Sequence, residues 1–347
     1  MTKSAGIRTV RDTVTTSTAI PAPTVSDDAR RQVEVGLGYG LLAYAWWGLI
    51  PIYFKLVKHL PPLLVLAHRV VWSCAFFAIL VAVLARWRDV ARTLRDRKTL
   101  ALLTASTVML ATNWGTFIFA VSTGRVLQAS LGYFMLPLVS VSLAIVVLRE
   151  RLRRGQVAGL VLAVIGVIVL TIARGGQVPW IALAIAFSWG GYALMRKVAH
   201  VAPLDGLLVE TLLLTPVALA YIAVKPALTT PTSTSPAADL SQADYALLAL
   251  SGVVTAIPLL WFTAAAKRLR LSTLGFLQYL TPTGQLLLAI FAYGEVFGVA
   301  NFAGFALIWL ALVVYSADSL RAHRQARAAI AEVDRPDPAE ASALAEA

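Results

Sequence analysis

The sequence predicts an all-α polytopic membrane protein with ten transmembrane helices in two inverted five-helix repeats. Three observations carry that prediction. The first is composition: of 347 residues, 59% are hydrophobic and 14% charged, with a mean hydropathy of +0.75, more apolar than a water-soluble chain of this length. The second is segmentation, because ten apolar runs of about 17 to 23 residues are each long enough for a helix to cross a hydrocarbon core of about 30 Å. The third is internal repetition. A shift of 142 residues lays Trp47-Gly48 on Trp189-Gly190, Lys55 on Lys197 and Pro61 on Pro203, and a shift of 145 lays Pro137 on Pro282, Glu150 on Glu295 and Gly159 on Gly304. Each copy holds five spans, an odd number, so the second must run through the membrane in the opposite sense to the first. Folds of that plan place a small-molecule site near the midplane, between the halves.

Residues 1–35 are polar and rich in Thr, Ala and Asp, with no apolar stretch and cleavage site, and are expected to form a disordered cytoplasmic tail. The first repeat is expected over 36–173, with helices near 36–56, 64–86, 99–121, 127–148 and 155–173. The second is expected over 178–316, with helices near 178–195, 206–224, 244–265, 272–292 and 297–316. Between its second and third helices, Lys225–Asp244 contains "TTPTSTSP" and reads as a low-complexity loop. Residues 317–347 turn basic and then rich in Ala, Glu and Pro, as a short amphipathic extension that ends in a cytoplasmic tail. Lys and Arg number 24 on the side holding the N-terminus and 5 on the other, with Arg69 the thirtieth, so both termini are expected in the cytoplasm. The net charge of +12 would suggest nucleic acid in a soluble protein, but these cations cluster between apolar runs as topology determinants do, and no nucleic-acid partner is expected. The single cysteine, Cys74, allows no intramolecular disulfide and reads as a small packing residue.

Ionisable residues inside apolar runs are rare and usually face protein or water. His68 and Arg69 open the second segment, with Arg69 about 8 Å below the membrane boundary at about 1.5 Å per residue. From there Arg69 can snorkel to water or pair with an acid, or it can face a central cavity and attract an acidic or strongly polar substrate group. Glu210 aligns with His68 at the 142 shift, so each half carries an ionisable residue in its second helix, which favours the cavity-facing reading.

Pro137 and Pro282 lie inside the fourth and ninth segments, where each removes a backbone N–H and frees the carbonyl four residues earlier, on Tyr133 and Gln278. Ser130, Tyr133 and Pro137 share a helical face, as do Gly275, Gln278 and Pro282. Two symmetry-related kinked helices with polar stripes are one reading of this pattern, and plain helix packing is the other. Asn113 and Trp114, in the middle of the third segment, add an amide and an aromatic surface, as interhelical contacts or as substrate contacts. Tyr279 and Gln285 extend the polar surface of the ninth. The substrate-binding candidates are thus Arg69, His68, Asn113, Trp114, Tyr133, Glu210, Gln278 and Tyr279, with Pro137 and Pro282 as hinges. Glu150 and Glu295 fall at helix ends and read as caps or ion-pair partners ahead of proton carriers. Lys55 and Lys197 read as end-of-helix anchors. Gly155, Gly159 and Ala163 form a close-packing face, inside the monomer or between the two copies of a homodimer.

The stretches "LAHRVVWS", "ASLGYFMLPL", "LRLSTLGFLQYLTPT" and "YGEVF" resemble the RarD family of the EamA-type, drug/metabolite transporter superfamily, over about residues 36 to 316. The resemblance implies ten helices in two inverted five-helix repeats and transport of a small metabolite or amphipathic drug across the bacterial inner membrane. Members carry the label "chloramphenicol-sensitive protein", which does not fix a physiological substrate. The chain has no GxxxxGK[ST], HExxH or GxSxG, and its four histidines are scattered, so no catalytic residue, metal or cofactor is expected. Energy would come from an ion gradient or from the substrate's own gradient. A channel and a non-transporting scaffold or sensor are the alternatives. The expected partners are the substrate and the lipid bilayer.

Overall fold

In hydrocarbon no water is available to pair backbone N–H and C=O groups, so each apolar run must close its hydrogen bonds within a helix. The computed structural model describes residues 27–123, 125–173, 180–228, 240–292 and 299–333, and among the described residues there are twelve α-helices and no strand. They are α1 (Asp27–Leu56), α2 (Pro62–Val83), α3 (Trp87–Arg95), α4 (Arg97–Ser122), α5 (Val126–Val146), α6 (Arg154–Ala173), α7 (Trp180–Val198), α8 (Pro203–Leu228), α9 (Gln242–Arg268), α10 (Leu271–Leu277), α11 (Leu280–Phe291) and α12 (Val299–Val333). Seven of them, α1, α2, α4, α6, α8, α9 and α12, are long and apolar enough to cross a bilayer by length and composition. The other crossings are α5, α7, whose apolarity Arg196 and Lys197 dilute, and the α10–α11 pair, which together make one span.

α12 runs on past the membrane segment to Val333, as the expected extension. The helices depart from the sequence expectation at three places. α1 begins at Asp27, inside the segment expected to be a disordered tail. The basic stretch after the second span is not a plain loop but carries α3, in which Trp87, Val90 and Leu94 share one face. The ninth span is broken between α10 and α11 at Gln278 and Tyr279. The rest of the N-terminal tail, the centre of the low-complexity loop, Glu295 and the residues after Val333 lie outside the described residues.

Polar contacts between helix ends fix the up-and-down course of the chain. At the near end of the bundle, which holds the start of α1, Arg268 donates to Gln32 (2.9 Å) and Arg153 to Asp318 (2.7 Å). At the far end His59 and Asp244 approach to 2.7 Å, and the Tyr53 hydroxyl donates to the Leu247 carbonyl at 3.1 Å. Helix pairing follows the repeat. α1 lies against α9 and α11 as α7 lies against α4 and α5, while the pairs α2–α8, α5–α10 and α6–α12 each join equivalent helices of the two halves. Exchanging the first five spans for the second five preserves these pairs, as inverted repeats require. One departure matters: α7 also packs on α9, whereas α1 and α4 have no comparable packing among the described residues.

Small residues set the closest approaches. A Cβ on Gly48 would lie 3.2 Å from the Gly284 Cα, and one on Gly252 would lie 2.4 Å from the Trp72 backbone. The face of Gly155, Gly159 and Ala163 is turned to α12, where a Cβ on Gly159 would meet the Ala311 carbonyl oxygen at 3.0 Å and Ala163 is fully buried. Of the two packing options for this face, the one inside the monomer is occupied.

Candidate substrate cavity

Between the halves lies a cavity of about 810 Å³. Its mouth is at the far end, where exposed Lys55, Lys58 and Pro62 border it, and its floor is made by Tyr44, Trp47 and Trp189. Arg69 lies on its wall, half-buried. The first turns of α2 carry it against α9, where its Nε donates to Thr255 Oγ1 at 2.9 Å. The guanidinium carbon stands 5.1 Å from the ring centre of Trp114 and 5.5 Å from that of Phe54, close enough for cation–π attraction. No carboxylate pairs with Arg69 among the described residues.

The other candidates divide. Asn113, Trp114, Tyr133 and Gln278 line the cavity, with Pro282 and Gln285. The Asn113 amide nitrogen donates to the Ile185 carbonyl (2.9 Å) and to Ser188 Oγ (3.2 Å), so it joins α4 to α7 and has little left to offer a ligand. Gln278 is tied to Ser140, its amide nitrogen donating at 3.2 Å. Pro282 does not leave a free carbonyl behind it. The chain breaks just before, so Pro282 falls in the first turn of α11, where a helix N–H has no partner in any case, and the Gln278 carbonyl accepts from the Thr281 N–H at 3.1 Å. Pro137 is buried inside continuous α5 and is absent from the cavity wall; the Ser130 side chain lies outside the described part.

His68, Glu210 and Tyr279 also stand apart from the cavity. His68 is one residue around α2 from Arg69, which rotates it off the wall. Tyr279 caps α11 with its ring buried beside Phe276, because the helix break turns it away from the face that Gln278 presents. Glu210 is fully buried toward the near end, where it faces Arg196 at 3.5 Å and accepts hydrogen bonds from Ser106 and Tyr192. A carboxylate in hydrocarbon needs a counter-ion, and this one has found it within the fold and not in a ligand.

Below the floor the near end is sealed in two layers. The upper layer is aromatic: Trp189 stands 5.2 Å from Trp47 and 5.1 Å from Phe262, and Tyr192 stacks on Phe262 at 5.9 Å. The lower layer is polar. Lys197 donates to the Leu269 carbonyl, Arg196 to the Pro203 carbonyl (3.1 Å), and Arg86 grips Asp205 with two bonds of 2.6 and 3.0 Å. Glu150 accepts from the Leu271 N–H (2.8 Å) and from Ser272 Oγ (2.6 Å), capping α10 across the repeat boundary as its place at a helix end suggests. Partial burial raises the Glu150 pKa, but the bonds from Ser272 and Leu271 and the nearby Arg270 outweigh it and leave the carboxyl below its ordinary range. The fork of Asp205 likewise holds the Arg86 pKa above its usual value.

Sequence reasoning passed over Thr255, Phe54 and Arg196. Thr255 had a signal, since it lies at the 142 shift from Asn113. Arg196 had a weaker one: a buried Glu210 requires a cation, and Arg196 lies 14 residues before it at the end of the preceding helix.

An all-α bundle of ten spans, with a cavity between symmetry-related halves, defines a multi-pass membrane protein of the EamA-like transporter class, and the EamA-like transporter family matches residues 34–172. The protein RarD of Salmonella typhimurium (strain LT2) is 44% identical over 298 residues, covering 85% of this chain and 99% of that protein. The chain belongs to the RarD family. An uncharacterized transporter of Pseudomonas aeruginosa is 41% identical over 303 residues, covering 86% of this chain and 98% of its own length. A solved crystal structure superposes with a TM-score of 0.63 over 84% of this chain and 98% of that one at 22% identity, a likeness of fold.

Proposed function

We propose that the protein is a secondary transporter that moves a small molecule by alternating access, and that this structure represents the state open at the far end. The observation that carries the reading is the asymmetry of an otherwise symmetric molecule: α7 packs on α9 beneath an aromatic floor, while the equivalent α1 and α4 stand apart around the cavity mouth. Exchanging the two arrangements would close the far end and open the near end around the same site. The bias of 24 to 5 in Lys and Arg supports a cytoplasmic near end, and on this reading the cavity faces the periplasm across the inner membrane. Single cysteines in a Cys74→Ala background test the orientation. Ser17→Cys and Ser342→Cys react with an impermeant thiol reagent only after the membrane is opened, and Thr230→Cys reacts in intact spheroplasts; the reverse pattern overturns it. Counterflow in proteoliposomes tests the mechanism: a carrier saturates and exchanges labelled for unlabelled substrate, a channel conducts without exchange, and a scaffold moves nothing.

A further inference from the structure

The polar groups of the cavity are unevenly committed. Thr281 donates to the Tyr44 carbonyl (3.0 Å), Gln285 to the Trp47 carbonyl (3.3 Å), and Asn113 and Gln278 are engaged across helix interfaces as described above. Arg69 differs. Its Nε is spent on Thr255 and its flat faces on Trp114 and Phe54, and these contacts hold the guanidinium in place while its two terminal amino groups keep their donors. Lys55 and Lys58 add positive charge at the mouth, and among the described residues no Asp, Glu or His lines the cavity. The remaining wall is apolar, with the rings of Trp47, Phe117, Tyr133 and Trp189 set among aliphatic side chains such as Ile50 and Leu259.

We propose that the cavity selects a flat organic monoanion, an aryl carboxylate, and rejects neutral, zwitterionic and cationic molecules of the same shape. The inference deepens the transport reading and rests on it for its physiological meaning. A carboxylate matches the planar fork of one arginine with two parallel N–H···O bonds, and the charge on both partners strengthens each bond. A cation or an amino-acid ammonium would enter a space that holds Arg69 on its wall and Lys58 at its mouth, with no acid among the described lining residues to receive it. A neutral amide of the same outline would keep the ring contacts but lose the charge-assisted pair. The lysines at the mouth attract anions over a longer range, which affects the rate of entry more than the final fit.

The test uses the purified full-length protein and its thermal unfolding, because a ligand that binds the folded state must raise the melting temperature. The probes are phenylacetate, 3-phenylpropionate and indole-3-acetate, each with its matched amide and amine. The three acids are expected to stabilise the protein saturably, and the amides and amines to bind at least roughly tenfold more weakly, the factor that one lost charge-assisted bond supplies. Arg69→Gln should abolish the acid effect, and Arg69→Lys should weaken it roughly tenfold, since the charge survives but the fork does not. If Arg69→Gln does not fold, Lys58→Gln at the exposed mouth still reports: acid association should slow and lose part of its salt dependence. Equal stabilisation by acid and amide, unchanged acid binding in both Arg69 variants, or no stabilisation by any acid overturns the assignment. Acid binding without counterflow would instead remove the transport reading and leave anion selection standing, and counterflow of a neutral compound would do the reverse.

Discussion

At the scale of single residues, the buried pair Arg196–Glu210 and the exposed-end cap Glu150 behave differently. Both members of the pair are fully buried, so removing one leaves a charge in hydrocarbon without its partner. Glu210→Ala should therefore cost about 3–5 kcal/mol of stability, whereas replacing both as Arg196→Met with Glu210→Leu should come close to wild type. Thermal unfolding in detergent checks this, and a double variant no better than Glu210→Ala alone would show that Arg196 is not the counter-ion. For Glu150 the sign follows from linkage. Its pKa in the folded protein lies below the ordinary carboxylate value, so the cap contributes its full stability above that ordinary value and loses it as the pH falls through the folded one. Glu150→Gln should then lower the melting temperature at neutral pH and bring it together with wild type in acid. A difference that persists at the lowest pH would mean that the charge of Glu150 is not what stabilises α10.

At the scale of elements, the turns and breaks between helices carry the predictions. α2 ends in a Schellman motif, in which the Arg86 N–H reaches the Val81 carbonyl (2.9 Å) and Ala85 takes the left-handed conformation at φ 52°. That turn aims Arg86 at Asp205. A residue with a Cβ pays about 1–2 kcal/mol to stand there, so Ala85→Gly should raise stability by about 1 kcal/mol, measured by chemical or thermal unfolding. No gain would mean that the added freedom of the unfolded glycine cancels the relief. The α10–α11 break predicts an effect on function instead. Pro282→Ala removes the ring and adds a backbone N–H that can compete with that of Thr281 for the Gln278 carbonyl, which would favour one straight helix and pull Gln278 out of register with the cavity. Counterflow should fall severalfold while abundance in the membrane is kept; Pro137→Ala, away from the wall, should have the smaller effect. Equal losses in both would assign the prolines to folding and not to the site.

At the scale of the whole molecule, alternating access makes two distances change in opposite directions. Spin labels at Pro62→Cys and Ile118→Cys flank the mouth, and labels at His200→Cys and Arg270→Cys flank the seal, all in a Cys74→Ala background. Under counterflow the first pair should gain a shorter population and the second a longer one. If both distances stay fixed while substrate exchanges, the halves do not rock and the aromatic floor must open by side-chain motion alone. The same symmetry explains the strength of the α6–α12 contact: the close fit of Gly159 against the Ala311 backbone gives the two halves a tight junction away from the cavity.

Much of this was legible in the sequence because hydrocarbon imposes simple rules. Apolar length, cation bias and a repeated pattern at nearly constant offset gave the class, ten crossings and the inverted plan, since each is a property of one span or of two spans compared. The same one-dimensional reading brought Arg69, Trp114, Asn113, Tyr133 and Gln278 to the cavity, because polar and aromatic groups in mid-membrane must face protein or water. It could not separate them from Glu210, which obeys the same rule by facing Arg196 across a loop, or from Tyr279, which a helix break turns by part of a turn. Nor could it see that Thr255, Phe54 and Trp114 together hold Arg69. Which partner a buried group finds, and which end of the bundle is closed, depends on how the helices pack, and only the tertiary structure decides that.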